Sequence, residues 1–358
     1  MQNTILFEKE KSLGAEFGDF HNWQLPNFYT SVKEEYSAAK KGVVLMDRSY
    51  FGHIRIFGND HVDLLHRLST NEVRTLKTGE GQINIFTNEK GRIVDRVVLF
   101  KFETEMRLLI TSGNAKKISD WIEKYIFIED AKTEILSNTG VLSILGPKAP
   151  EFLNMLFDFG FDDLLECHFK EIDWSNHMVQ IVRTDELGFS GFNLVTEESA
   201  LSELWDHLIE HGSQFDLKPM GEDAYETLRI ESGWPVYSKD FDEEINPHET
   251  NMLPYVNFDK GCYIGQEVVA RFDTYEKVQK HLMGIVLESE TQPNEKDPIF
   301  MDDKEVGHIT SVTHSFDLNK KIALGYVRTK FIEEGAKVQI RSSEKEISGR
   351  LVKLPFKI

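Results

Sequence analysis

Cysteine is nearly absent: the 358 residues contain two, Cys167 and Cys262. That excludes a disulfide framework as the source of stability. Long apolar runs are missing as well. No stretch reaches the roughly 18 apolar residues that a membrane span needs. The opening Met1-Gln2-Asn3-Thr4-Ile5-Leu6-Phe7-Glu8-Lys9-Glu10 lacks the basic region and apolar core of a signal peptide. Positive charge is in deficit, with 41 Lys and Arg against 60 Asp and Glu, a net charge of −19. Such a balance argues against broad binding to nucleic acid or to an anionic membrane. Sequence repeats, low-complexity tracts and disordered linkers are not evident. What is present is ordinary: 40% hydrophobic and 28% charged residues, as in globular proteins. The expectation is a soluble, cytoplasmic chain long enough for two or three domains with cores of their own.

Leu6 to Tyr29 reads as an irregular, aromatic-rich segment. Ser31 and Glu34 then have capping-box spacing, with Gly42 at the helix end. Strands are expected at 43–47 and 52–57. Asn59 or Asp60 caps a helix that carries Val62, Leu65 and Leu68. Two strands, 82–87 and 92–102, flank the turn Asn88-Glu89-Lys90-Gly91, and a third covers 106–111. Asn114 caps a helix with Ile118, Trp121, Ile122 and Tyr125 on one stripe. Strand 141–145 leads through Pro147, at a first helical position, into a helix carrying Phe152, Leu153, Leu156 and Phe157. Strands at 177–183 and 191–195 precede helices at 197–212 and 221–233. Beyond residue 275 short strands predominate, at 282–287, 305–312, 321–327, 337–340 and 348–354. The pattern predicts an α+β body of antiparallel sheets over 1–275, in two lobes, and a small β-barrel or sandwich over 276–358.

The stretch richest in chemistry is Lys260-Gly261-Cys262-Tyr263-Ile264-Gly265-Gln266-Glu267-Val268-Val269-Ala270-Arg271. Thiolate is the reactive form of cysteine. Lys260, Arg271 and a helix expected to start at the apolar run would all favour it. Gly261 and Gly265 permit unusual backbone angles or a close approach. A free cysteine is more often a small buried hydrophobe, which is the better reading for Cys167, preceded by an acid in Leu164-Leu165-Glu166-Cys167-His168-Phe169.

Lys-Gly-Cys-Tyr-x-Gly-Gln-Glu followed by Arg271 resembles the signature of the YgfZ family. These are folate-binding proteins of iron–sulfur cluster maintenance, related to the glycine cleavage T-protein, an aminomethyltransferase. Other likenesses run the length of the chain. Leu6-Phe7, Gly18-Asp19-Phe20 and Trp23-x-x-Pro26-x-x-Tyr29 resemble the T-protein opening, and Asn246-Pro247-x-Glu249 resembles the motif before its substrate pocket. Leu228-Arg229-Ile230-Glu231-x-Gly233-x-Pro235 is shared by both branches. The resemblance implies a T-protein-like body with a C-terminal barrel, and tetrahydrofolate or a related reduced folate as cofactor. It also implies iron–sulfur clients or assembly proteins as partners.

Departures from the T-protein pattern bear on function. Its Gly-Gly-x-x-Asp-Asp turn, whose second Asp is catalytic, is matched here by Gly91-Arg92-Ile93-Val94-Asp95-Arg96. A guanidinium cannot replace a carboxylate that handles a proton. Asp95 faces the other side of the strand. By the same alignment a folate-binding Glu becomes Asn193, a folate-contacting Arg becomes Tyr225, and a pocket Tyr becomes Glu186. Arg96 or Lys260 could pair with the glutamate tail of a folate. His207-Leu208-Ile209-Glu210-His211 matches an inverted zinc-protease pattern, but both histidines lie off the apolar stripe at a helix end, and no third ligand accompanies them. With two cysteines the chain cannot itself hold a four-cysteine cluster, so Cys262 is expected to act as a single functional thiol. The alternatives are a folate-dependent aminomethyl transferase and a scaffold in which the thiol only packs.

Overall fold

A computed structural model describes residues 1–275, 278–342 and 345–357. The residues group into two compact units. One comprises Met1–Leu68, Glu72–Asn84 and Arg96–Tyr225, and the other Ser69–Asn71, Ile85–Asp95 and Glu226–Ile358. The sequence boundary expected at 275/276 abuts residues 276 and 277, which lie outside the described residues.

The first unit is built on a six-stranded sheet, ordered 169–174, 177–184, 191–197, 139–145, 44–47, 218–219. All its pairings are antiparallel except the last, Lys218–Pro219 beside Val44 and Leu45. Helices Ala149–Phe157 and Glu198–Gly212 contribute to the core under this sheet. In the longer one, Leu201, Leu204, Trp205 and Leu208 are all buried, as a 3.6-residue period requires. A five-stranded sheet, ordered 81–87, 93–101, 105–110, 52–57, 132–135, carries the two strands whose residues are shared between the units. In the second unit, strands 280–287, 320–328, 304–315, 298–301, 337–342 and 345–352 close into a barrel. Closure leaves no edge to template aggregation. The expected α+β class with a C-terminal barrel is therefore observed. Among the described residues no helix is long and apolar enough to cross a membrane.

Four local expectations fail for identifiable reasons. The segment from Leu6 to Tyr29 is not irregular: it forms helix Phe7–Ser12 and the hairpin Glu16–Phe20/Trp23–Phe28. Its two-residue turn is His21-Asn22, both at positive φ, the backbone of a tight hairpin without the glycine that announces one. Pro26 sits opposite Phe17 at a bulge, one of the few strand positions open to proline. Pro147 is not in the first helical turn; that helix begins at Ala149, with Pro150 in its opening turn. Asn114 precedes its helix with no side-chain cap bond, its carbonyl taking the Ile118 N–H instead. Strand Pro298–Met301, which completes the barrel, was hidden by its length of four residues and its leading proline. Ser31, by contrast, accepts the Glu34 N–H at 3.3 Å as its spacing predicts.

A buried acid in the first unit sets a pH dependence. Glu10 is fully buried, and among the described residues only its Oε1 has a side-chain partner, the Tyr29 hydroxyl at 2.9 Å. Burial first, then the Asp47 charge, pushes its carboxyl from 4.5 to about 8, against the Tyr29 hydrogen bond. The folded state therefore holds a proton that the unfolded chain gives up above pH 4.5, and stability falls as pH rises from about 5 to 8. Urea unfolding should show a loss on the order of a few kcal/mol across that window, and Glu10→Gln should flatten it. An unchanged slope in the variant would refute the assignment.

Candidate functional site

In the first unit, strand ends gather a buried polar cluster. Arg48 follows strand Val44–Asp47, and its guanidinium lies over the rings of Phe51 at 4.4 Å and Tyr225 at 4.3 Å. Its Nη1 donates to Glu186 Oε1, and the Tyr225 hydroxyl donates to the same oxygen at 2.8 Å. Burial raises the Glu186 carboxyl, but Arg48, the Tyr225 bond and the Arg96 charge outweigh it and hold the group below its ordinary range. Glu186 is thus a carboxylate at neutral pH. Burial also raises the Tyr225 hydroxyl, which stays protonated as the donor. Alongside, the Tyr50 hydroxyl donates to Glu222 Oε1 at 2.8 Å. On the adjacent strand, Ser143 donates to Asn193 Oδ1 at 2.6 Å and fixes the amide's orientation. Arg48 Nε is buried with no partner among the described residues.

Glu186, Asn193, Tyr225 and Arg96 therefore share one unit, and the first, third and fourth are electrostatically linked. Arg48, Tyr50 and Glu222 were missed by sequence reasoning. Their partners lie far along the chain, 138 residues for Arg48 and 172 for Tyr50, so local spacing carries no signal. A basic residue followed by two aromatics at a strand end, Arg48-Ser49-Tyr50-Phe51, was the only available hint.

The second unit holds the thiol stretch. Lys260 is buried, and its ammonium donates to the carbonyls of Ser69 at 2.6 Å and Asn71 at 2.8 Å while lying over the Tyr263 ring. Tyr263 is buried too, which pushes its hydroxyl up to about 12. The Thr87 hydroxyl donates to the Ile264 carbonyl, and Gln266 Nε2 to the Lys260 carbonyl at 3.4 Å. Gly265 has φ +80, and a Cβ there would stand 2.4 Å from the Asn88 carbonyl. No other residue fits that position without moving backbone. Helix Gln266–Tyr275 starts directly after it. Gly261 and Cys262 are exposed on this anchored loop, as are Glu267 and Arg271 on the helix. Cys262 precedes the first helical turn, beyond which the dipole's influence falls away.

Asp95 is fully buried, whereas Arg96, next on the strand, is half-buried. Glu249 Oε2 accepts the Asn246 N–H at 3.0 Å and Arg92 Nη1 at 3.1 Å, closing the Asn246-Pro247-His248-Glu249 turn. Cys167 is buried in the first unit, its thiol raised by burial and then by Glu166, Asp185 and Glu186. Thiol-directed alkylation of the native protein near neutral pH should therefore label Cys262 well before Cys167. Equal rates would contradict the structure. His207 and His211 stack at the end of their helix, with His211 Nδ1 2.9 Å from the His207 carbonyl. Among the described residues no group of three or more His, Cys, Asp or Glu could hold a metal ion.

Comparison with known proteins fixes the relationship. Residues 6–260 match the GCVT N-terminal domain, and residues 280–357 match the glycine cleavage T-protein C-terminal barrel domain. The chain belongs to the glycine cleavage T-protein family. Relatives named aminomethyltransferase include one from Aquifex aeolicus, 32% identical over 99% of this chain and 95% of its own. Another, from Halothermothrix orenii, is 30% identical over 99% and 100%. The crystal structure of glycine cleavage system aminomethyltransferase T from Bartonella henselae superimposes with a TM-score of 0.91. At 21% identity over 99% of this chain and 98% of that one, it shows the shared fold. T-protein membership thus stands on both domains of the chain.

Proposed function

We propose that this T-protein family member is a reduced-folate-binding accessory protein of the YgfZ type, working through the Cys262 thiol to support assembly or repair of iron–sulfur enzymes. The observation that carries this reading is the presentation of Cys262: an exposed thiol on a loop whose flanks are pinned by Lys260, Thr87 and Gly265. A thiol that merely packed would be buried, as Cys167 is. In this reading the folate-binding body covers 1–275 and the barrel 276–358.

The first unit's cluster fits a reduced folate. A pterin edge offers both donors and acceptors. Arg48 Nε is a buried donor without a partner among the described residues, the Asn193 amide is held in one orientation, and Glu186 is an ionised acceptor. Arg96 supplies a cation suited to the glutamate tail. When bound, the folate supplies a nitrogen that carries a one-carbon unit. Tyr225 and Glu186 orient one another by their hydrogen bond, and Arg48 keeps Glu186 charged, so the cluster would meet the ligand with a fixed donor and an ionised acceptor.

A second reading is aminomethyl transfer, favoured by the full-length match to curated aminomethyltransferases. Their name fits that reading better than the first. One experiment separates them. Purified protein is titrated with tetrahydrofolate, and Cys262→Ala and Cys167→Ala are each tested for restoring iron–sulfur enzyme activity in cells lacking the protein. The accessory reading expects folate binding, failure of Cys262→Ala despite normal folding, and success of Cys167→Ala. Full rescue by Cys262→Ala would end it.

A further inference from the structure

His207 and His211 form a pair in the last two turns of helix Glu198–Gly212, off the buried stripe of Leu201, Leu204, Trp205 and Leu208. His207 is half-buried and His211 exposed, so both rings reach solvent. Their centroids are 4.2 Å apart, and His207 also meets the Trp174 ring at 5.4 Å. The reading above gives none of the three a role. Residues four apart are neighbours on a helix surface, and two histidines at that spacing can share one metal ion.

Local bonding prepares the pair. His211 Nδ1 lies 2.9 Å from the His207 carbonyl. A carbonyl only accepts, so Nδ1 carries the proton and the lone pair of the neutral ring is on Nε2. Burial first, then the His211 charge, lowers the His207 imidazole against the pull of Glu210 and Glu203, so this ring is neutral at pH 7 with a lone pair of its own. Glu203, one turn before His207, and Glu210 are exposed carboxylates, and the C-terminal end of a helix adds partial negative charge. A cation is drawn to this surface, although among the described residues no acid completes a three-ligand set. Imidazole nitrogen suits Zn²⁺, Cu²⁺ and Ni²⁺, whereas Mg²⁺ and Ca²⁺ take oxygen. We propose that His207 and His211 chelate one late first-row divalent metal ion, through His211 Nε2 and a ring nitrogen of His207, with water in its remaining positions. Two protein ligands make the ion exchangeable, unlike a structural zinc, which takes four.

Trp174 supplies the readout. The full chain carrying Cys262→Ala, which removes the exposed thiol as a competing ligand, is titrated at about pH 7 with Cu²⁺, Ni²⁺, Zn²⁺ and Mg²⁺ by calorimetry, and with Cu²⁺ by tryptophan fluorescence. One ion per chain should bind, Cu²⁺ most tightly and Mg²⁺ not at all, and bound Cu²⁺ should quench fluorescence saturably. His207→Gln and His211→Gln should each weaken Cu²⁺ at least about tenfold, a loss of about 1.4 kcal/mol or more. His211→Gln lies at an exposed position and should keep the parent's melting temperature. Trp174→Phe should lose most of the saturable quenching while calorimetric binding remains. Lowering the pH to about 5 should release the ion, because protons compete for the ring nitrogens. The proposal is overturned if no ion saturates at one per chain or if Mg²⁺ binds as well as Cu²⁺. Parent-like binding by His211→Gln would show an adventitious ion only, and quenching unchanged in Trp174→Phe would place the ion elsewhere; either result overturns it.

Discussion

Assayed with tetrahydrofolate and an aminomethyl donor, the protein turns over about 10²–10⁴ times more slowly than an aminomethyltransferase with an aspartate at the position of Arg96, the usual cost of losing a positioned acid or base. Arg96 is half-buried on strand Ile93–Lys101, and its charge is one of those that keep Glu186 ionised. The neighbouring carboxylate, Asp95, is fully buried and points to the other face of the strand. Arg96→Asp does not restore activity. It removes a cation from the surroundings of Glu186 and puts a carboxylate there, so Glu186 would be pushed toward protonation rather than relieved. By the sequence resemblance, Tyr225 and Asn193 would still stand where the transferase pattern has an Arg and a Glu. Initial rates for the parent and Arg96→Asp decide the matter. A parent rate matching an authentic aminomethyltransferase would make the transferase reading correct and the accessory reading wrong.

What could be read from the sequence follows from how local each feature is. Helix Val32–Lys41 and the helix bearing Leu201, Leu204, Trp205 and Leu208 were legible because caps and 3.6-residue stripes are written within a few residues. The Glu16–Phe28 hairpin was not, because its turn uses His21 and Asn22 at positive φ and its proline hides in a bulge. The site divides along the same line. Cys262 and its glycines announced themselves as a contiguous motif, and the loop geometry accounts for Gly265. The role of Lys260 did not show: a lysine beside a cysteine suggests thiolate chemistry, whereas its ammonium bridges the carbonyls of Ser69 and Asn71 across a long sequence separation. Arg48 is the same case in the first unit, a central cation whose partner is 138 residues away.

Arg229→Met destabilises the protein by about 3–5 kcal/mol, the cost of removing one member of a buried ion network. The motif Leu228-Arg229-Ile230-Glu231 reads from sequence as a family mark without a task. In the second unit its arginine is fully buried, with both ends of the guanidinium occupied. Nε donates to Glu226 Oε2 at 3.0 Å, Nη1 to Asp240 Oδ2, and Nη2 to Ser311 Oγ at 2.7 Å. Asp240 in turn accepts Thr310 Oγ1 at 2.6 Å, Ser311 Oγ at 2.7 Å and the Val236 N–H at 3.1 Å. The network ties helix Glu222–Glu231 to barrel strand Lys304–Ser315. Methionine fills the volume but leaves Asp240 buried without its countercharge. Burial alone would raise the Glu226 carboxyl; Arg229 outweighs it and holds the group at about 2. Its contribution is therefore present above pH 4.5 and lost as pH falls toward 2. Urea unfolding at pH 7 should separate Arg229→Met from Arg350→Met. Arg350 pairs with Glu288 at 2.7 Å, but both side chains are 40% exposed or more, and such a pair contributes about 1 kcal/mol or less. Equal losses in the two variants would show that the buried network does not hold helix and barrel strand together.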